Sequence, residues 1–219
     1  MENIVLIGAT GYVGSAILNE LLSRNIAVTA IARNIDKIAT NNTLVTKKAA
    51  DINNIDELTS IIKGADVVIS AFNAGWTNPD LYNAYTKGAN AIHQAVEKAN
   101  VKRLIVIGGA GTLFIKPGLQ LVDTPDFPEF IKPGATAVRD YFKNVLSKES
   151  KFEWTYFSPA IEMSPEHPGK RTGHYRLGTN TPVFDSENRS RVSVEDVAVA
   201  IVDEIENKQQ INKQFTIGY

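Results

Sequence analysis

The chain contains no cysteine. Disulfides, thiolate nucleophiles and cysteine-ligated zinc are therefore excluded in one step. Its three histidines supply no metal set either: His93, His167 and His174 stand at no ligand spacing, the first mid-helix and the other two in irregular stretches. An excess of either charge is also missing. Lys and Arg number 23 against 24 Asp and Glu, a net charge of −1, so nothing marks a nucleic-acid or anionic-membrane partner. No apolar run reaches the length of a membrane-spanning helix. The opening Met1-Glu2-Asn3 shows no basic segment or cleavable apolar stretch, and a cytoplasmic protein is expected. Repeats and low-complexity tracts are absent too. At 219 residues the chain can bury the core of one α/β domain, taken as 1–219, and is too short for two large ones.

What is present begins almost at once. Ile4-Val5-Leu6-Ile7 is a short apolar run of the kind a central parallel strand shows when both its faces are covered. Gly8, Gly11 and Gly14 follow, within Gly8-Ala9-Thr10-Gly11-Tyr12-Val13-Gly14, and Ser15 to Leu22 continues as an amphipathic helix. Gly8 turns the chain where a Cβ would clash, Gly11 lets backbone come close to a ligand, and Gly14 lets helix and strand pack together. The unpaired N–H groups of the helix's first turn, with its positive dipole end, suit a pyrophosphate.

Strand, turn and helix then alternate, which signals a parallel sheet with helices on both faces. Strands are expected at Ala27–Ala32, Leu44–Ala50 (weak, near a sheet edge), Asp66–Ala71, Arg103–Ile107, Trp154–Phe157 and Gln214–Ile217. Helices are expected at Ile55–Ile62, Asp80–Ala99, Ala135–Glu149 and, after the cap Ser193-Val194-Glu195-Asp196, as far as Glu206. Two stretches break the pattern. Residues 108–134 open on Gly108-Gly109-Ala110-Gly111, too flexible for strand or helix, and are punctuated by prolines through Pro133. Residues 159–191 are irregular apart from an expected hairpin of Gly173–Leu177 against Pro182–Phe184. The predicted architecture is a doubly wound, mostly parallel sheet, a Rossmann fold, with these two stretches as a small substrate lobe. Ligands in such a sheet sit outside the carboxyl ends of the strands.

The turn spacing, G-x-x-G-x-x-G, differs from the G-x-G-x-x-G of dinucleotide dehydrogenases. It resembles the GATGxxG turn of the short-chain dehydrogenase/reductase superfamily, most closely its extended and atypical members. Those include NmrA-like and biliverdin reductase B/flavin reductase-like proteins. Gly108–Leu113, Trp154–Ala160, Gly173–Arg176 and Val192–Ala198 resemble segments of bacterial proteins provisionally labelled NADH-flavin reductases, so the likeness runs along nearly the whole chain. It implies a nicotinamide dinucleotide held by Gly8, Ala9, Thr10, Gly11, Tyr12, Val13 and Gly14.

An NAD-selective site wants a carboxylate at the end of the second strand. Arg33 stands there instead, and a guanidinium can clamp the 2′-phosphate of NADP bidentately, so NADP is favoured over NAD. By resemblance Asp51 would accept from the adenine amine and Ile52 would cover the ring. Ala50 replaces the usual glycine, however, and Asp51 serves equally well as a turn or cap residue. Ala71, Phe72 and Asn73 after the fourth strand, and Gly108 and Gly109 after the fifth, would flank the nicotinamide half, with Pro159 near the ring. Thr112, Trp76 and His174 are candidates for facing the acceptor, beside Lys116, His167 and Arg176. Trp76 lines the pocket or simply packs, and each histidine has a structural role as its alternative.

The superfamily's usual proton relay is missing. It places a serine after the fifth strand and Tyr-x-x-x-Lys on the next helix, the lysine lowering the pKa of the proton-donating tyrosine. Four residues after Tyr12, Tyr82, Tyr85, Tyr141, Tyr156 and Tyr175 stand Ala16, Thr86, Ala89, Val145, Ala160 and Thr179, and Tyr219 is the last residue. The serine position is Gly109. The expected activity is transfer of a hydride from NADPH to a small conjugated acceptor, flavin- or quinone-like, which needs positioning more than an acid. An NmrA-like redox sensor without turnover and an epimerase/dehydratase-type isomerase stay open. A monomer or homodimer is expected, with no partner beyond the small-molecule acceptor.

Overall fold

The computed structural model describes residues 2–219. The apolar run forms β1 (Ile4–Ile7), buried along its whole length, and α1 (Tyr12–Ser23) follows the glycine turn. Next come β2 (Val28–Ala32), β3 (Val45–Ala49), α2 (Ile55–Ile62), β4 (Val67–Ser70) and α3 (Leu81–Lys98). Beyond them lie β5 (Arg103–Ile107), a small hairpin of β6 (Phe114–Lys116) and β7 (Leu119–Gln120), and α4 (Lys132–Asn144). The chain closes with β8 (Glu153–Ser158), β9 (Arg176–Gly178), α5 (Val194–Asn207) and β10 (Lys213–Gly218).

Eight strands form the main sheet in the order β3-β2-β1-β4-β5-β8-β10-β9. All neighbours run parallel except β10 and β9. This is the doubly wound Rossmann arrangement. The chain winds outward from β1 through β2 to β3, then returns to lay β4 on the other side of β1, so the strand order reverses between β1 and β4. Alternate residues of β1 feed the two faces, as a period of two requires. Leu6 joins Ile17, Leu21, Ile69 and Ile201 under α1 and α5. Val5 and Ile7 join Leu58, Val68, Tyr85 and Ile92 under α2, α3 and α4.

Local chemistry explains where the helices begin. Asn54 caps α2 and holds Glu57 through its side-chain amide, and the Ser193 side chain accepts from the Asp196 N–H at the start of α5. α1 is different: Gly11 is its N-cap, no side chain caps it, and its first turn holds no acidic residue.

Three expectations are corrected. β9 pairs antiparallel with β10 (Leu177 opposite Ile217), not with residues 182–184. Pairing there covers the otherwise open edge of β10, and Val183 instead packs over Gly178, where a Cβ would meet its Cγ2 at 2.7 Å. Ala110–Thr112 forms a 3₁₀ turn despite the surrounding glycines, with Thr112 Oγ1 donating to the Gly109 carbonyl at 2.8 Å. Pro133 does not hold off the following helix: it lies in the first turn of α4, where its missing N–H costs nothing. That helix ends at Asn144, and a separate 3₁₀ turn spans Leu146–Lys148. Among the described residues no helix is long and apolar enough to cross a membrane.

Candidate functional site

The three turn glycines are not equivalent. Gly8 has φ +83°, and a Cβ there would lie 2.6 Å from the Ala71 carbonyl oxygen; one on Gly14 would lie 2.1 Å from that of Gly8. Both are required for β1, β4 and α1 to meet. Gly11 has an ordinary φ of −79°, and the nearest atom to a Cβ there is the Gly8 oxygen, at 3.4 Å. Packing does not demand glycine at 11; the space it leaves belongs to the crevice in front of the uncapped end of α1.

That crevice encloses about 380 Å³ at the carboxyl ends of β1, β2 and β4, with Gly8, Thr10, Gly11, Arg33, Asp51 and Phe72 on its walls. The other turn residues face elsewhere. Ala9 and Val13 pack on the core below α1 and α5, and Tyr12 Oη donates to the Ser164 carbonyl at 3.1 Å. Arg33 is exposed at the end of β2, and no carboxylate stands within ion-pair distance of it among the described residues. Asp51 fills the turn role left open above, its Oδ1 accepting from the Asn53 N–H at 2.9 Å. That bond, the Asn53 side chain and the nearby Arg33 and Lys87 hold its carboxyl below the usual range.

Ile52 and Phe72 share one support that sequence reasoning missed. Gly88, in the middle of α3, would place a Cβ 2.5 Å from the Phe72 ring and 2.8 Å from Ile52 Cδ1. Phe72 also stacks on Tyr85, ring centres 5.7 Å apart. A glycine inside an amphipathic helix was the available signal.

Outside the lining of the crevice, just past the end of β5, Gly108 lies directly on Tyr156: a Cβ would sit 2.1 Å from its Cζ. Thr112 does not face an acceptor. It is fully buried, and its hydroxyl, the Ser158 hydroxyl at 2.8 Å and the Gln214 amide form a brace beneath Gly109. Pro159 follows that Ser158 and is buried. His174 is also placed elsewhere. It lies on a strap pinned to α5, where Asp196 accepts from the Thr172 and Gly173 N–H groups and Tyr175 donates to Asp203. Asn73 Oδ1 accepts from the Gly75 N–H at 2.7 Å, and Trp76 on the same turn stays exposed rather than packing.

His93 packs between α3 and α4, with Tyr141 Oη 3.2 Å from Nδ1 and Glu149 2.7 Å from Nε2. Glu97 joins it, bringing donor atoms of a histidine and two glutamates within 4.8 Å of one another. The His93–Glu149 bond and the Lys151–Glu97 ion pair account for this group. Tyr141, the nearest approach to the missing relay, is thus buried away from the crevice. All seven tyrosines are shifted upward, Tyr82 chiefly by its bond to Asp140 and the rest chiefly by burial.

Comparison with known proteins agrees with this geometry. YwnB of Bacillus subtilis (strain 168), an uncharacterized protein, is 34% identical over 217 residues, 98% of this chain and 97% of that one. A solved Bacteroides thetaiotaomicron structure, provisionally named an epimerase, is 45% identical with a TM-score of 0.92, covering 100% of this chain and 97% of that one. One from Streptococcus pneumoniae, provisionally named an NADH-flavin reductase, is 31% identical with a TM-score of 0.85, covering 100% and 99%. The family model described as NAD(P)H-binding matches residues 8–208. The chain belongs to this NAD(P)H-binding family.

Proposed function

We propose that the crevice holds NADPH in preference to NADH and that the protein reduces a small, flat, conjugated acceptor. The observation that carries this reading is Gly11. Two turn glycines answer to the fold, while the third keeps space clear before an uncapped helix end that favours an anion. Arg33, free of any carboxylate partner among the described residues, can take a 2′-phosphate, and the second oxygen of Asp51 remains to accept from the adenine amine. Ile52 and Phe72, backed by Gly88, offer an apolar wall. Gly109, braced by Thr112, Ser158 and Gln214, would fix the backbone beside the ring.

A bound nicotinamide would supply the hydride; this chain's part is to hold, orient and exclude water. No tyrosine is prepared as an acid near neutral pH, and none is followed by the lysine that would prepare it. Reduction of a ketone builds charge on an alkoxide that must be stabilised or protonated. A flavin or quinone spreads that charge over its own conjugated system, which supports the reductase reading with such an acceptor.

Cofactor selectivity is tested by calorimetric titration. A charge-assisted bond to phosphate contributes about 1.5–3 kcal/mol, so NADPH is expected to bind roughly ten- to a hundredfold tighter than NADH. Arg33→Ala should remove most of that difference and leave NADH affinity nearly unchanged. Equal affinities in the parent protein would overturn the NADP assignment.

A further inference from the structure

Three asparagines line the crevice, Asn53, Asn73 and Asn78, and the bonds each one makes fix which end of its amide is left free. Asn53 spends its amino group on a carboxylate, Nδ2 donating to Asp51 Oδ1 at 3.0 Å. An ionised carboxylate only accepts, so the Asn53 oxygen is the end left over. Asn73 and Asn78 are held the opposite way. The Gly75 N–H donates to Asn73 Oδ1 at 2.7 Å, and the Asp80 N–H donates to Asn78 Oδ1 at 2.9 Å. A backbone N–H only donates, so both oxygens are taken. Both amino groups stay without a partner among the described residues.

The loop that carries these amino groups abuts the glycine turn. A Cβ on Gly8 would lie 2.6 Å from the carbonyl oxygen of Ala71, two residues before Asn73. The Asn78 N–H closes the loop on the Gly75 carbonyl at 3.0 Å. Gly8, Thr10 and Gly11 line the same crevice as Asn73 and Asn78, so the uncapped end of α1 and the two asparagines bound one space. Its walls differ in kind. Around Asp51 the unpaired atoms are acceptors, Asp51 Oδ2 and Asn53 Oδ1, whereas along the loop after β4 they are donors. Asp80, which borders that loop, lies outside the lining, and its carboxylate accepts from Asn83 at 2.8 Å. Two amino groups with no acceptor beside them suit the oxygens of an anion. A ribose hydroxyl would find no place there for its own hydrogen.

We infer that Asn73 and Asn78 are pyrophosphate-binding residues, their amino groups donating to oxygens that the first turn of α1 leaves unbound. The inference rests on the reading that this crevice takes a nicotinamide dinucleotide. It is independent of the NADP preference and of the acceptor. Since the pyrophosphate is common to both cofactors, the two asparagines support NADPH and NADH equally, whereas Arg33 separates them.

Asn73→Asp and Asn78→Asp test this. Aspartate accepts the same backbone N–H, so each turn is kept while an oxygen replaces the amino group. Calorimetric titration with NADPH, NADH, ADP-ribose and adenosine 2′-monophosphate compares ligands with and without the pyrophosphate. Each variant should bind the first three roughly ten- to a hundredfold more weakly, the loss of one charge-assisted bond. Adenosine 2′-monophosphate should bind as it does to the parent. Thermal melts should stay close to the parent's. Asn78→Ser, which offers the turn an oxygen without adding charge, answers the same question should aspartate destabilise the loop, with about tenfold loss expected. Unchanged affinity for NADPH and NADH in folded variants would overturn the assignment. So would an equal loss for adenosine 2′-monophosphate, which would put the amides at the adenosine end. A parent protein that binds neither NADPH nor NADH would overturn the dinucleotide reading itself, and this inference with it.

Discussion

Replacing Gly11 by valine is expected to abolish measurable binding of NADPH and NADH together while the protein melts close to its parent temperature. The backbone at Gly11 has a φ open to any residue, and a Cβ there meets only the Gly8 carbonyl oxygen, at 3.4 Å. The fold thus tolerates the side chain, whereas the space in front of α1 does not stay open. A loss of more than a hundredfold corresponds to about 3 kcal/mol, well within what closing a pyrophosphate site removes. Gly14→Ala is the contrasting variant. Its Cβ would press on backbone at 2.1 Å, so folding itself should suffer. Calorimetry and thermal melts on both variants separate the two roles. Retained NADPH affinity in folded Gly11→Val would make the turn purely structural.

A large loss of stability is also expected from Gly108→Ala. The added methyl would sit 2.1 Å from the Tyr156 ring. That ring is fully buried, and Phe142 stacks on it at 4.1 Å, so it has nowhere to retreat. Overpacking of this kind costs about 3 kcal/mol, which for a chain of this size lowers Tm by roughly 6–12 °C. Tyr156→Leu in the same chain should restore part of the loss by opening room for the methyl. A double-mutant cycle measures the coupling, and strict additivity would show that the two residues do not compete for space.

Much of the fold was legible because it depends on local pattern. The apolar run, glycine spacing and amphipathic stretch around residues 4–22 each point to strand, turn and helix, and α2 and β5 fall at the expected residues. What was not legible depends on distant partners. β9 had two strands it could pair with, and the choice is made by the open edge of β10. Thr112 looked like a pocket residue because it follows the glycines after β5. Its buried role appears only once Ser158 and Gln214 arrive beneath it from β8 and β10. Gly88 draws its purpose from Ile52 and Phe72, which come from two other loops. Arg33 and Gly11 could be singled out earlier because their reasoning needs only the strand end and the helix start that follow from their neighbours in the chain.

The proposed function requires hydride transfer without a side-chain acid. The most direct measurement is loss of NADPH absorbance with purified, cofactor-free protein against a panel of flavins, quinones and simple ketones. Turnover is expected with flavins or small quinones and hardly any with ketones. Tyr141→Phe, which breaks only the buried bond to His93, should leave quinone turnover within a few-fold of the parent. Tight NADPH binding with no turnover on any acceptor would contradict the account in favour of a sensor, and brisk ketone reduction abolished by Tyr141→Phe would contradict its reading of the catalytic helix.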